Sequence, residues 1–467
     1  MSNEEKSVGK QLEEKLLIKR KNGILRAEDD ELALADAFCE GYMKFLDDAK
    51  TEREAVTASI ALAEANGFMP YDPNKKYSAG EKVYRNIRGK SLILCVFGRN
   101  SLENGVRLLA AHIDSPRLDL KQHPVYESSD FALLKTHYYG GIRKYQWATI
   151  PLSLHGVIFK ADGSCVTVNI GEDENDPVFT VTDLLPHLAQ EQSKRTLAEG
   201  IKGEELNVLI GSRPFKDDDV SEKIKLNVLK LLNEKYGIIE EDFVSAELEV
   251  VPAFKAKNVG LDCGLIGAYG QDDRVCAYPA LEAILDCDCP DYTAIAVLTD
   301  KEEIGSVGPT GLNSDYLRHF IESIADGEGV PAYDVIRNSK CLSADVTAAF
   351  DPTFSDVLDP RNASYCNYGL AMCKFTGSRG KSGCNDASAE FVAYVRKVFE
   401  ENNVIWQTTE LGRVDLGGGG TVAAYIGNMD IEVVDVGVPV LCMHSPFELT
   451  SKLDVYMAYK GFSAFIR

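Results

Sequence analysis

The feature that most constrains this chain is a pattern repeated along its second half. Short apolar, β-branched runs end in acidic or imidazole side chains and are followed by helix-forming sequence. From about Phe254 onward, strand-like runs at Thr293 to Thr299, Lys340 to Ala344 and Val433 to Cys442 alternate with helical patterns at Arg274 to Leu285 and Asp386 to Glu400. Such alternation predicts a mostly parallel sheet with helices on its faces. In open sheets of that kind ligands bind at the carboxyl ends of the strands.

The first third has its own pattern. Phe38, Tyr42, Phe45 and Leu46 share one helical face, and Thr51 to Asn66 is rich in helix formers before Gly67. Ser91 to Phe97 and Arg107 to Ile113 read as buried strands, the second running into Asp114-Ser115-Pro116. The texture then changes. Val157 to Lys160 and Cys165 to Ile170 flank Ala161-Asp162-Gly163-Ser164, a hairpin signal, and Ser221 to Tyr236 predicts a helix. With 467 residues the chain exceeds one ordinary core. The simplest organisation is one α/β domain over 1–119 and 253–467, interrupted by a β-rich insert at 120–252.

Charge excludes some partners. The net charge of −22, from 72 acidic and 50 basic residues, repels nucleic acid and anionic membrane surfaces. Met1 to Glu14 are charged rather than apolar, and no apolar run approaches the roughly 20 residues that span a bilayer. The twelve cysteines are scattered without a C-x-x-C pair, which fits reduced thiols and a cytoplasmic location.

Glu302 and Glu303 stand side by side after the run Ala294 to Thr299. Adjacent like charges at a strand end need a compensating cation or a shared proton. Four other places repeat the theme: His112 and Asp114, Asp272 and Asp273, Asp345, and His444. Each has an ordinary explanation alone: a core histidine, a helix cap, a strand-end turn, a solvated loop. Together, at termini that converge on one rim of a parallel sheet, they assemble imidazoles and carboxylates, the donor set of zinc and its neighbours. Asp114 lies two residues beyond His112, so both leave an extended strand on one side. There the carboxylate can accept the ligand histidine's second N–H. Gly417 to Gly420 lacks the Lys-Ser/Thr sequel of a phosphate loop and reads as a tight turn.

Six stretches carry a family resemblance. They are Ala110 to Pro116, Gly270 to Arg274, Asp300 to Ser306, Leu342 to Asp345, Asp415 to Thr421, and Met443 to Glu448. In this order the chain resembles the bacterial branch of the aspartyl-aminopeptidase-type dinuclear zinc metallopeptidases, from about residue 25 to the C-terminus. The resemblance implies a three-layer α/β/α catalytic domain with a mixed, mostly parallel sheet and a β-rich dimerisation insert. It implies Asp272 bridging two ions, His112 and Asp345 completing one ion's ligands, and Glu303 and His444 the other's. The bond after Asp272 is often cis in such sites.

The chemistry so implied is peptide hydrolysis at the N-terminal residue by a water bridging the ions. Glu302 would be the general base, with Asp114 beside it among the catalytic residues. The substrate's amino group would sit against acidic side chains, Asp273 among them. Lys374 and the loop Ser378 to Asp386 match a substrate-contacting region, and His187 in the insert would reach a neighbouring subunit's site. The expected cofactors are two divalent metal ions per chain, zinc first, with manganese or cobalt the alternatives that nitrogen and oxygen donors admit. The expected partners are peptides and copies of the chain itself, in a tetrahedral dodecamer built from dimers. Competing readings are a non-catalytic shell or cargo protein with the same fold, and a two-metal hydrolase of another bond. His123, His137, His155 and His319 are expected to be structural.

Overall fold

The computed structural model describes residues 6–467. Its largest element is a nine-stranded mixed sheet. Four strands at its centre run parallel, in the order Ala294–Thr299, Arg107–His112, Lys340–Ser343 and Glu432–Gly437. Antiparallel neighbours flank them, Ser91–Val96 on one side and Leu370–Cys373 on the other. The register sets Thr299 opposite His112 and Ser343 opposite both Ala110 and Asp435. The carboxyl ends of the central strands therefore open along one edge.

These strands are apolar on both faces because both faces are covered. Leu109, Ala111, Ala296 and Leu298 point to one side, where they pack with Tyr42, Val56, Ala277, Val395 and Phe462. Those partners lie on the helices Asp29–Asp48, Glu52–Ala65, Gln271–Leu285, Ala389–Glu401 and Lys452–Ile466. Leu108, Ala110, Ile295 and Val297 point to the other side, against Phe320, Val335 and Ile426 on Tyr316–Glu328, Ala332–Asn338 and Ala423–Gly427. The architecture is a three-layer α/β/α sandwich. Thr51 starts the helix Glu52–Ala65 by accepting the N–H of Glu54, whose carboxylate returns to the Thr51 N–H.

Between Arg117 and Pro252 the chain builds a separate seven-stranded antiparallel sheet. Leu152–Phe159 and Cys165–Ile170 form its hairpin. It has a core of its own, around Trp147, Leu154, Ile158, Val208 and Val250. A five-stranded sheet completes the molecule and contains Leu265–Ala268, Glu448–Ser451 and Pro439–Leu441. All twelve cysteines are free thiols.

The run Val433 to Cys442 departs from the single strand expected of it. It divides into Glu432–Gly437 in the large sheet and Pro439–Leu441 in the small one. Gly437 marks the switch, since a Cβ there would lie 1.7 Å from the Asp345 carbonyl oxygen, and proline follows two residues on. Glycine and proline at such a point are signs of a bend rather than a continuous central strand. As a result His444, and likewise Asp272 after Leu265–Ala268, reach the rim from the small sheet and not from the parallel one.

The fold makes one stability prediction. Leu109 is fully buried in a central strand, so Leu109→Ala should cost about 2–5 kcal/mol in urea unfolding, and a loss under about 1 kcal/mol would contradict that packing.

Candidate metal centre

Three sheets meet at the site. His112 ends the parallel strand Arg107–His112, and Glu302 and Glu303 form a tight turn after Ala294–Thr299. Asp345 follows Lys340–Ser343, Asp272 opens the helix Gln271–Leu285, and His444 follows Pro439–Leu441. The Asp272 carboxylate lies between the two imidazoles. Its Oδ1 is 3.1 Å from His112 Nε2, and its Oδ2 is 3.1 Å from His444 Nε2. Glu303 Oε1 stands 3.5 Å from His444 Nε2, and Glu302 Oε2 stands 3.9 Å from His112 Nε2. The peptide bond between Asp272 and Asp273 is cis.

Outer contacts fix these groups. His112 Nδ1 faces the Asp114 carbonyl at 3.0 Å and the Asp114 Oδ1 at 3.3 Å. Both are acceptors, so Nδ1 carries hydrogen and Nε2 is the nitrogen turned to the site. Asp114 Oδ1 also accepts the N–H of Glu302 at 3.1 Å, and its Oδ2 accepts the N–H of Glu303 at 3.2 Å. His444 Nδ1 meets the Gly141 carbonyl at 2.8 Å. Glu448 accepts the N–H of Asp272 at 3.1 Å and that of His444 at 2.7 Å.

Burial sets the electrostatics. It pushes Glu302 up to about 7, with His112 opposing and Asp114 adding to the rise. Glu448 is pushed up to about 8 by burial and by the charge of Asp272. Glu303, Asp273 and Asp345 are driven well above the usual carboxylate range for the same first reason. Asp272 alone goes the other way: burial would raise it, but hydrogen bonds from His112 and His444 hold it low. Carboxylates crowded this tightly favour a compensating cation.

The donors fit a divalent metal. Two groups of ligand atoms lie within 4.8 Å of one another, His112–Asp272–Glu303 and His112–Asp273–Asp345. Glu303 Oε1 and Asp273 Oδ1 are buried with no hydrogen-bond partner in the protein. Buried, unpartnered carboxylate oxygens are costly unless something electropositive meets them. The cluster lies at the wall of a cavity of about 940 Å³, lined by His112, Asp272, Glu302, Glu303, Asp345 and His444, and beyond them by Thr376, Asn385, Thr421 and Asp435.

Comparison with known proteins decides the family. Residues 45–466 match the model described as aminopeptidase I zinc metalloprotease (M18). The chain belongs to the M18 aminopeptidase family. It is similar to a probable M18 family aminopeptidase 1 of Clostridium acetobutylicum, 48% identical over 97% of this chain and 99% of that one. The crystal structure of an M18 aminopeptidase from Thermotoga maritima matches with a TM-score of 0.91 at 44% identity, over 97% of this chain and 100% of that chain. The structure of the S. cerevesiae mApe1 dodecamer shares the fold, with a TM-score of 0.74 at 20% identity over 93% of this chain and 97% of that one.

Within this M18 chain, several residues lie elsewhere than expected. Asp114, expected among the catalytic residues, is fully buried and does not line the cavity; its contacts are to His112 and the Glu302–Glu303 turn. Asp273, expected against the substrate's amino group, is also fully buried and off the cavity wall. Its Oδ2 accepts the N–H of His112, and it groups with His112 and Asp345 among side chains that could hold an ion. Lys374 does not line the cavity either, because an exposed ion pair with Asp386 holds its ammonium. From the adjoining loop Gly383, Cys384 and Asn385 do reach the wall. His187 is exposed on the insert, away from the cavity of its own chain. His155 is tied between Glu54 and Glu172.

Glu448 and Asp435 are the polar groups that residue-by-residue reading passed over. An acid inside an apolar strand is the signal for Asp435, since buried charge is rarely idle. Its Oδ1 accepts from Ser343 and Thr421, while its Oδ2 has no partner. Glu448 gave a weaker signal, as a motif end with no ligand role of its own. Replacing an outer partner of this type weakens metal affinity about 10–100-fold. Glu448→Gln should do so in chelator competition, and unchanged affinity would show that its two hydrogen bonds do not hold the ligands.

Proposed function

We propose that the protein removes N-terminal residues from peptides as a dinuclear zinc aminopeptidase. The observation that carries this reading is the divergence of two adjacent carboxylates. The Glu303 side chain is 4% exposed and turned to His444, whereas that of Glu302 is 17% exposed at the cavity wall. This difference supports a ligand role for Glu303 and a proton-carrying role for Glu302.

In this reading His112, Asp272, Asp345, Glu303 and His444 are the residues that would hold the ions. When bound, the ions supply Lewis-acid polarisation of the scissile carbonyl and charge to stabilise the developing oxyanion. Glu302 removes a proton from the attacking water and delivers it to the leaving amine. Asp114 holds the Glu302 backbone, so the carboxylate stays aimed while it gains and loses the proton. The cavity receives the N-terminal residue, and the carboxylates at its wall attract the free ammonium. Free thiols support a reducing compartment, the cytoplasm. Among the described residues no helix is long and apolar enough to cross a membrane.

Assembly belongs to the same reading. We infer that 120–252 acts as the dimerisation insert and that the dimers build a tetrahedral dodecamer. Support comes from the dodecameric mApe1 fold and from the surroundings of His187, where Leu184, Leu185 and Leu188 are exposed together. An apolar patch of this kind marks a contact surface, and it would carry His187 to a neighbour's cavity.

Glu302→Gln should abolish release of N-terminal residues while metal content stays near that of the unaltered protein. Activity surviving that change would refute the assigned roles, and no metal-dependent release from a broad peptide panel would favour a shell protein. Light scattering at micromolar concentration should report a twelve-chain particle, and a monomer would remove both the assembly and the shared role of His187.

A further inference from the structure

The insert sheet touches the metal centre of its own chain at three consecutive residues. Its strand Phe131–Tyr139 runs directly into Gly140 and Gly141. The Tyr139 hydroxyl donates to Asp114 Oδ2 at 2.8 Å. Gly140, at φ +72°, lies so close that a Cβ would sit 3.0 Å from Glu303 Oε2. The Gly141 carbonyl accepts from His444 Nδ1 at 2.8 Å. This short segment therefore meets groups on both sides of Asp272, although nothing in it bears a metal-ligating side chain.

Tyr139 is itself held from both directions. The Arg117 guanidinium lies over its ring, 3.9 Å from the centroid. Arg117 is buried and binds Glu249 and Asp119 of the insert sheet at 3.2 and 2.8 Å. It also reaches Glu52, at the start of the helix Glu52–Ala65 in the main body, at 3.4 Å. A buried arginine in such a set fixes an orientation, because its planar fork of N–H donors is directed at acceptors on several elements at once. The ring stands in one position, and its hydroxyl meets an Asp114 already committed to His112 and to the N–H groups of Glu302 and Glu303.

We propose that Tyr139 is a positioning residue through which the insert fixes the metal centre: by binding Asp114 it aims His112 and locks the Glu302–Glu303 turn. The proposal rests on the ligand roles given under Proposed function. Without the hydroxyl, Asp114 Oδ2 keeps only the Glu303 N–H. The carboxylate can then rotate, and His112 and the turn lose a common anchor. The insert thereby has a part in catalysis within its own chain, separate from any part in assembly.

The test uses the full-length, assembled protein. Tyr139→Phe keeps the ring and the stacked Arg117 and removes one oxygen. Zinc affinity in chelator competition should weaken about 10–100-fold, the range for an outer partner of a ligand histidine. On a peptide substrate kcat should fall with KM nearly unchanged. Tyr138→Phe, on the other face of the same strand, should leave both unaltered. Action through Asp114 is read from a double-mutant cycle on zinc affinity. Adding Tyr139→Phe to Asp114→Asn should cause little further loss. Wild-type zinc affinity in Tyr139→Phe would overturn the proposal, and so would a loss that is fully additive with Asp114→Asn. The zinc measurement does not depend on peptidase activity, so a failure of the assigned reaction is distinguishable from a failure here.

Discussion

Negative charge buried around two imidazoles is the condition to which the rest of the structure answers. Asp114, Asp272, Asp273, Glu303 and Asp345 bring carboxylates within reach of His112 and His444, in surroundings where like charges are poorly screened. Three routes relieve such a cluster: protonation, hydrogen bonds from backbone or side chains, or cations. The molecule uses the second for the outer members. Asp114 takes the amides of Glu302 and Glu303, Glu448 those of Asp272 and His444, and Asp273 that of His112. The oxygens left over at Glu303 and Asp273 are the ones a cation would meet.

Holding so many charges at one spot needs a rigid frame, and the parallel sheet supplies it. Its central strands are sealed on both faces by apolar layers, which fixes the ends where His112, Glu302, Glu303 and Asp345 emerge. The two remaining groups come from the small sheet, tied in by Glu448. The insert adds Tyr139 and the Gly141 carbonyl. Three sheets are thus bound together at a place where charge would drive them apart. This coupling makes the site sensitive to residues far from any ligand in sequence.

Much of the site was legible beforehand because strand ends leave a mark in the sequence. A β-branched run stopping at His112, or at the Glu302–Glu303 pair, gives both the element and the place where its side chains are presented. Asp345 was readable on the same grounds. The surroundings of Lys374 and Asp273 were not, because neither a matching motif nor a neighbouring ligand residue records where a side chain turns. The ion pair with Asp386 turns Lys374 outward, and burial beneath His112 takes Asp273 off the wall. Tyr139 gave no signal at all, since an aromatic residue ending a strand is ordinary until its hydroxyl has a partner.

The sequence by itself determined the layered α/β class, the large β-rich insertion and a set of imidazole and carboxylate side chains at strand ends, because these depend on local periodicity and residue chemistry. Tertiary structure alone decided how those side chains divide their work. The split at Gly437 sent His444 to a second sheet, where it faces Asp272 from the side opposite His112. Long-range contacts, from Asp114 to the Glu302–Glu303 turn and from Tyr139 to Asp114, set one glutamate side chain against His444 and its neighbour toward His112, the arrangement on which the proposed division of roles rests. Pairings across so many residues arise from packing, and no local pattern in the chain records them.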